Sequence, residues 1–400
     1  MSKTFCPLPW THLATHPHGS VTLCCESDHS DRASEAKNYI PLTYTTLHSE
    51  NYKFKNIINS DYFKQVRIQM LNDEIPPACQ KCFNYEKQGL ESKRLRESKR
   101  LNFNLEKAML ITDNTGIVDN VDFEFVELRL GNHCNLACRT CNPQSSTRLK
   151  SEWRVLFPNI QPIDQKLFDW PLDDNFWDLL IDNSNKLRYL YINGGEPLLI
   201  DKHKIFLQKL IDLDLAKNIE IQYSTNATVI NNDYYEVWKK FKNVNLMLSI
   251  DDIEDRNRYI RYPSKWNDIT KFLEWLTNLS KENHNTNFQI MQTVSILNIF
   301  YLQEFENYFK NFTISYNFVT DPIYYNPSIL PRPVKNEILN RLKNLSQITQ
   351  IENFLKVDNY NKSDMNKFLK ITKETDQIRT QNFKDTFEEY YKILGKHNVV

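Results

Sequence analysis

The segment FEFVELRL at 123–130 runs directly into GNHCNLACRTCNP at 131–143. The first part is rich in β-branched and aromatic residues, which predicts a strand. The second part places Cys134, Cys138 and Cys141 on one short loop, with the spacing C-x3-C-x2-C. A strand that ends in a ligand-bearing loop is how β/α barrels present their chemistry, at the C-terminal end of the strand. Further strands are predicted at 187–192, 218–224, 244–250, 288–296 and 312–319. Helices are predicted between them, at 201–213, 233–241, 266–280 and 301–310. Repeated strand–helix units imply a parallel sheet with right-handed crossovers. The expected fold is α/β, a partial (β/α)6 barrel, with an open doubly wound sheet as the alternative. The last 70 residues read as helical at 335–346, 363–373 and 381–394 and are expected to cover one face of the sheet.

Composition bounds the function. The chain has 400 residues, 50 basic and 50 acidic side chains, 40% hydrophobic and 12% aromatic residues. That supplies a core and excludes wholesale disorder. The zero net charge argues against a general polyanion binder. No run of about 18 apolar residues predicts a membrane span. The start, MSKTFCP, lacks a long apolar stretch, so no secretory signal is read and the expected compartment is the cytoplasm. Thiols stay reduced there, and clustered cysteines more often bind metal than pair. All eight cysteines fall within the first 141 residues.

Three thiolates on one loop suit three irons of a cubane cluster and leave the fourth iron open to another molecule. The same three cysteines also suit half of a zinc site with His133 as fourth ligand. Beyond them, the second strand ends in NGGEPL at 193–198. The third ends in STNA at 224–227 and the fourth in SIDD at 249–252, with YIRY at 259–262 soon after. The fifth ends in SILN at 295–298. In NGGEPL the two glycines allow close backbone approach to a ligand, and Glu196 suits an ammonium group. Arg261 suits a carboxylate.

These motifs, in this order over 120–320, resemble the radical SAM (S-adenosylmethionine) superfamily. The resemblance implies a [4Fe–4S] cluster on Cys134, Cys138 and Cys141. It implies that Gly194, Gly195 and Glu196 hold the methionine amino group of S-adenosylmethionine. Asn226, Ser249, Asp251, Arg261 and Asn298 are implied to position its carboxylate, ribose and adenine. Two positions depart from the family pattern. Ala227 stands where the family has glycine, and Thr140 stands where it often has an aromatic residue near adenine. The implied activity is reductive cleavage of S-adenosylmethionine to a 5′-deoxyadenosyl radical that abstracts hydrogen from a substrate. A peptide or protein substrate is favoured over dehydrogenation of a small molecule. An electron donor such as a flavodoxin or ferredoxin is implied as a partner.

The N-terminal cysteines read as a second metal site. Cys6, Cys24, Cys79 and Cys82 give a pair plus a C-x2-C, which suits a tetrahedral metal or a complete cluster. The spacing C-x12-G-x4-C from Cys6 to Cys24 resembles the opening of the SPASM/Twitch auxiliary-cluster modules. It implies one auxiliary iron–sulfur cluster, a [4Fe–4S]. Cys25 competes with Cys24, because neighbours on an extended segment point opposite ways; the G-x4-C spacing selects Cys24. Histidines 12, 16, 18 and 29 are read as loop residues. The charged stretch from Leu90 to Glu106 is read as a solvated connecting helix. The expected organisation is a module at 1–90, a linker at 91–119, the core at 120–330 and a helical extension at 331–400. The competing reading is a non-enzymatic zinc module with a basic helix near 93–100 touching nucleic acid.

Overall fold

The structure, a computed structural model, describes residues 3–27, 47, 52–87, 91–119, 122–161, 163–357 and 359–400. His29 lies outside the described residues. In chain order the strands are β1 (His12–Thr15), β2 (Val21–Thr22), β3 (Phe125–Leu130), β4 (Ala137–Cys138), β5 (Tyr189–Gly194), β6 (Glu220–Thr225), β7 (Asn243–Leu248), β8 (Arg261–Tyr262), β9 (Thr286–Val294) and β10 (Ile314–Phe318). The chain forms two compact units. One comprises 1–133, 159–223 and 231–245; the other comprises 134–158, 224–230 and 246–400.

In the first unit the strand order is β2-β1-β3-β5-β6, followed by the first half of β7. β3 and β5 are parallel, with Phe125 opposite Tyr189 and Leu130 opposite Gly194. β5 and β6 are parallel as well, with Leu190 opposite Ile221. β5 and β6 bury alternate residues, among them Leu190, Ile192 and Ile221, whereas β3 is buried on both faces from Phe125 to Leu128. The helix Asp201–Asp212 follows β5 and buries His203, Phe206, Leu207 and Leu210. That is the i, i+3, i+4, i+7 stripe of a helix facing a core. Because Leu130 and Gly194 are in register, the cysteine loop and the NGGEPL loop leave the sheet at the same edge.

The cysteine-rich module joins this sheet. β1 pairs in parallel with β3, Leu13 opposite Val126 and Ala14 opposite Glu127, and β2 returns antiparallel to β1. His12 is therefore a buried strand residue stacked on Phe125, not a loop residue. The module also contains the helices Phe54–Ile58, Asp61–Leu71 and Gln80–Lys87, more regular structure than its sequence suggested.

The connecting segment differs from its sequence reading too. Ser92 caps the helix Lys93–Arg100, accepting from Leu95 N at 3.2 Å. Lys93, Arg94 and Glu97 on this helix are buried, so one charged face is packed rather than solvated. Lys93 Nζ lies 3.0 Å from Glu127 on β3, and Arg94 pairs with Glu86.

In the second unit the latter half of β7 is followed by β9 and β10. β9 and β10 are parallel, with Ile290 opposite Ile314 and Val294 opposite Phe318. The helix Trp266–Glu282 buries Ile269, Phe272, Leu273, Leu276 and Leu279. The C-terminal helices, including Lys362–Arg379 and Glu388–Lys396, share one apolar core with Val294, Ile296 and Tyr316, through Phe368, Ile371, Phe387 and Leu394. Parallel strands alternating with helices are the α/β architecture expected from the sequence.

Candidate functional site

The cysteine loop is built around a short two-stranded ribbon. β4 and β8 pair antiparallel, Ala137 opposite Tyr262 and Cys138 opposite Arg261. Cys141 N bonds to Cys138 O at 3.1 Å, and Arg139 N to Ile260 O at 2.8 Å. Two side chains reach sulfur: Asn226 Nδ2 is 3.9 Å from Cys134 Sγ and Arg261 Nη1 is 3.9 Å from Cys138 Sγ. Donors directed at ligand sulfurs tune an iron–sulfur centre. Burial pushes the Cys138 thiol up. Burial first, then the Cys138 and Cys134 sulfurs, pushes Cys141 up to about 12. Cys141 thus feels both other sulfurs, and metal binding must displace the thiol protons.

On the NGGEPL loop the glycines are required by the chain's own backbone. Gly194 has φ +130°, and a Cβ there would sit 2.5 Å from Leu130 N; one on Gly195 would sit 2.2 Å from His133 O. The close approach expected toward a ligand is an approach to the 130–133 backbone. Glu196 N bonds to the carbonyl of His133, the residue immediately before Cys134, at 2.8 Å. The Glu196 side chain is buried and accepts from Leu198 N at 3.2 Å, capping the short turn Pro197–Leu199.

The remaining strand tips converge within the second unit, but largely on one another. Asn226 Nδ2 donates to Asn135 Oδ1 at 2.8 Å, and its oxygen accepts from Thr228 N at 3.1 Å. Ala227, at the departure from the family pattern, has φ +57°, the left-handed region that favours glycine. Arg261 meets a carboxylate as its type suggested, but the carboxylate is the chain's own. Its Nε lies 2.8 Å from Asp251 Oδ2 and its Nη2 lies 3.0 Å from Asp251 Oδ1. Burial acts against the guanidinium charge, yet Asp251 and Cys138 hold its pKa above the usual value. Asp251 Oδ1 also accepts from Thr293 N at 2.9 Å. Asn298 is fully buried and donates to Asp251 O and Thr293 O at 2.7 and 2.9 Å. It thus acts on the backbone beneath the Asp251 tip. Ser249 is half-buried, with its N–H on Thr225 O at 2.8 Å.

The N-terminal cysteines also assemble. Burial raises the Cys6 and Cys79 thiols. The next acidic influences on Cys6 are Cys79 and Cys82, and those on Cys79 are Cys24 and Cys82. Cys24 is raised well above its usual value by burial and then by Cys25 and Cys6. Cys6, Cys24, Cys79 and Cys82 thus form one group. Cys25 is distinguished by a hydrogen bond: its Sγ accepts from Lys93 Nζ at 3.1 Å. Glu127 and Arg129 are among the charges that act on it. Sequence reasoning missed this Lys93–Glu127–Cys25 contact, since nothing local relates residues 25, 93 and 127.

A cavity of about 430 Å³ opens beside the C-terminal ends of β3 and β5. Leu130, Phe168, Pro171 and Leu199 form part of its wall, and Leu172 and Ile205 are exposed at its margin. His133 also lines it.

Among the described residues, no group of three or more His, Cys, Asp or Glu side chains converges as tightly as a single metal ion requires. A cubane is ligated at separate corners, so its thiolates stand further apart than the ligands of one ion. Two sets of soft thiols, one of them furnished with donors to sulfur, fit iron–sulfur clusters in their chemistry. The buried Glu196 carboxylate, on a segment whose backbone bonds to His133, fits the ammonium end of S-adenosylmethionine.

Residues 128–294 match the family model of the radical SAM superfamily, and residues 6–83 match that of the SPASM iron–sulfur cluster-binding domain. No curated protein sequence matches the chain. Among solved structures, hexahistidine-tagged anSMEcpe with bound AdoMet is 19% identical, with 53% of this chain and 57% of that one covered and a TM-score of 0.37. Streptococcus suis SuiB bound to S-adenosylmethionine is 16% identical, with 72% of this chain and 64% of that one covered and a TM-score of 0.36. The chain spans less than two thirds of the length of either structure.

Proposed function

We propose that this chain, which carries a radical SAM domain preceded by an iron–sulfur cluster-binding module, is an enzyme that abstracts hydrogen from a peptide or protein substrate. When bound, a [4Fe–4S] cluster and S-adenosylmethionine supply reductive cleavage to a 5′-deoxyadenosyl radical. Cys134, Cys138 and Cys141 are the residues to hold that cluster. Glu196 receives the methionine ammonium. Asn226 and Arg261 donate toward the Cys134 and Cys138 sulfurs. Asp251 keeps Arg261 charged and aimed, and Asn298 fixes the backbone on which Asp251 stands. Cys6, Cys24, Cys79 and Cys82 hold the auxiliary cluster.

The observation that carries this reading is the bond from Glu196 N to the carbonyl of His133. It joins the NGGEPL loop to the first residue before the cluster ligands. A peptide substrate is favoured by the cavity of mixed apolar and polar lining beside the same strand ends, where Leu172 and Ile205 stand exposed. Apolar pockets with a few polar groups at strand ends are where ligands bind in such sheets. The cytoplasm remains the compartment that reduced thiols favour.

The test is anaerobic reconstitution with iron and sulfide counting, followed by mass spectrometry for 5′-deoxyadenosine under dithionite, with and without candidate peptides. The expected result is about eight irons per chain and turnover of S-adenosylmethionine. Cys138→Ala is expected to abolish 5′-deoxyadenosine; continued formation by this variant would remove the core assignment.

A further inference from the structure

Neither matched segment extends beyond residue 294, yet the helices after residue 331 reach back to the cysteine loop. Arg379, the last residue of the helix Lys362–Arg379, donates from Nη2 to Ala137 O at 2.6 Å. It is held there by Glu152, with Nε 3.0 Å from Oε1 and Nη2 2.7 Å from Oε2. One turn earlier, Asp376 takes the guanidinium of Arg139. The same carboxylate accepts from Tyr259 Oη at 2.6 Å and from Phe383 N at 2.7 Å. Gln381 adds a bond to Arg139 Nη2 at 3.0 Å. Arg139 also donates from Nε to Tyr259 O at 3.0 Å and lies 3.7 Å over the Tyr259 ring.

The neighbours of Cys138 on both sides are thus tied to one helix end. Ala137 is tied through its carbonyl and Arg139 through its side chain, while Cys138 itself pairs with Arg261. Arg139 and Arg379 are both buried, at 5% and 7% exposure, so these charge pairs are shielded from solvent screening. A loop that carries cluster ligands otherwise has few backbone partners and opens readily.

We infer that Asp376 and Arg379 are positioning residues for the cluster loop, and that the C-terminal helices, besides packing on the sheet, are part of the cluster site. They fix the backbone from which Cys138 projects, from outside, through Arg139 and the Ala137 carbonyl. This rests on the assignment of Cys134, Cys138 and Cys141 as the cluster ligands.

The test uses the reconstituted full chain. Iron release to an added chelator is followed by the reduced-cluster EPR signal that responds to S-adenosylmethionine. Asp376→Ala and Arg379→Gln are each expected to speed loss of that signal about 10-fold, the usual scale for supports behind metal ligands. The auxiliary signal should decay at the wild-type rate. Gln381→Ala removes a single bond to Arg139 and leaves Asp376 in place, so it keeps the question answerable if the stronger variants fold poorly; it is expected to give a smaller acceleration in the same signal. Lys384→Ala, nearby on the exposed surface, is expected to match wild type. Wild-type release rates in all three folded variants would overturn the inference. Cys138→Ala is the separate control: if it retains the signal that responds to S-adenosylmethionine, the ligand assignment fails and not the clamp.

Discussion

Replacing Cys24 and Cys25 one at a time separates two neighbouring thiols that the structure places in different surroundings. Both thiols feel Lys93, but only Cys25 accepts a hydrogen bond from it, at 3.1 Å, whereas Cys24 is buried and acts on Cys79. Cys24→Ala is expected to remove the auxiliary cluster, lowering the content from about eight irons to about four per chain. Cys25→Ala removes one hydrogen bond from a charged donor, a cost of about 2 kcal/mol. The loss goes no further, because Lys93 keeps Glu127 at 3.0 Å and is not left as an unpaired buried charge. Its iron content should stay near eight. Both variants should still form 5′-deoxyadenosine, since neither touches Cys134, Cys138 or Cys141. Iron and sulfide assays after anaerobic reconstitution, with thermal melts beside them, read all of these. Loss of half the iron on Cys25→Ala, or full iron on Cys24→Ala, would refute the assignment.

Glu196→Ala should weaken S-adenosylmethionine binding by about 10-fold or more while leaving core-cluster absorbance intact, as measured by calorimetric titration of the reconstituted protein. Arg261→Met leaves Asp251 buried without its cation and should cost about 3–5 kcal/mol of stability; Asp251→Asn in the same chain should recover part of it, a comparison read from melting temperatures. His203 is buried beside Tyr223, and burial pushes its pKa down to about 3. The unfolded chain takes up that proton below about pH 6.5, so the stability it confers is present above that pH and fades as pH falls. Wild type should lose about 1.4 kcal/mol more than His203→Gln between pH 7.5 and 5.5, and parallel stability curves would show that His203 is not the cause.

The core strands were legible because each buries a dense apolar run with strand periodicity. β3, β5 and β6 begin and end within about two residues of their sequence assignment. The Cys134–Cys141 spacing was legible because all three residues lie on one short stretch of sequence. Pairing between β1 and β3 was not, since it joins residues more than a hundred apart and leaves no mark in either segment. The same holds for Arg261 with Asp251: each residue type was noticed, but the fact that they neutralise each other is a property of the folded tips. The charged helix Lys93–Arg100 was misread because burial of Lys93 depends on Glu127, a partner on β3. Asp376 and Arg379 carried no signal, being ordinary charged positions on a helix until Arg139 and Ala137 meet them.

Because β1 lies hydrogen-bonded along β3, the amino-terminal module cannot be trimmed away like a tail. A shortened version starting near residue 120 would strip the partner from the strand that feeds the cysteine loop, and would bare Val126 and its neighbours to water. Such an unprotected edge invites other chains to add on to it. Anyone seeking a minimal fragment that starts at the cysteine loop's own strand should therefore expect insoluble material.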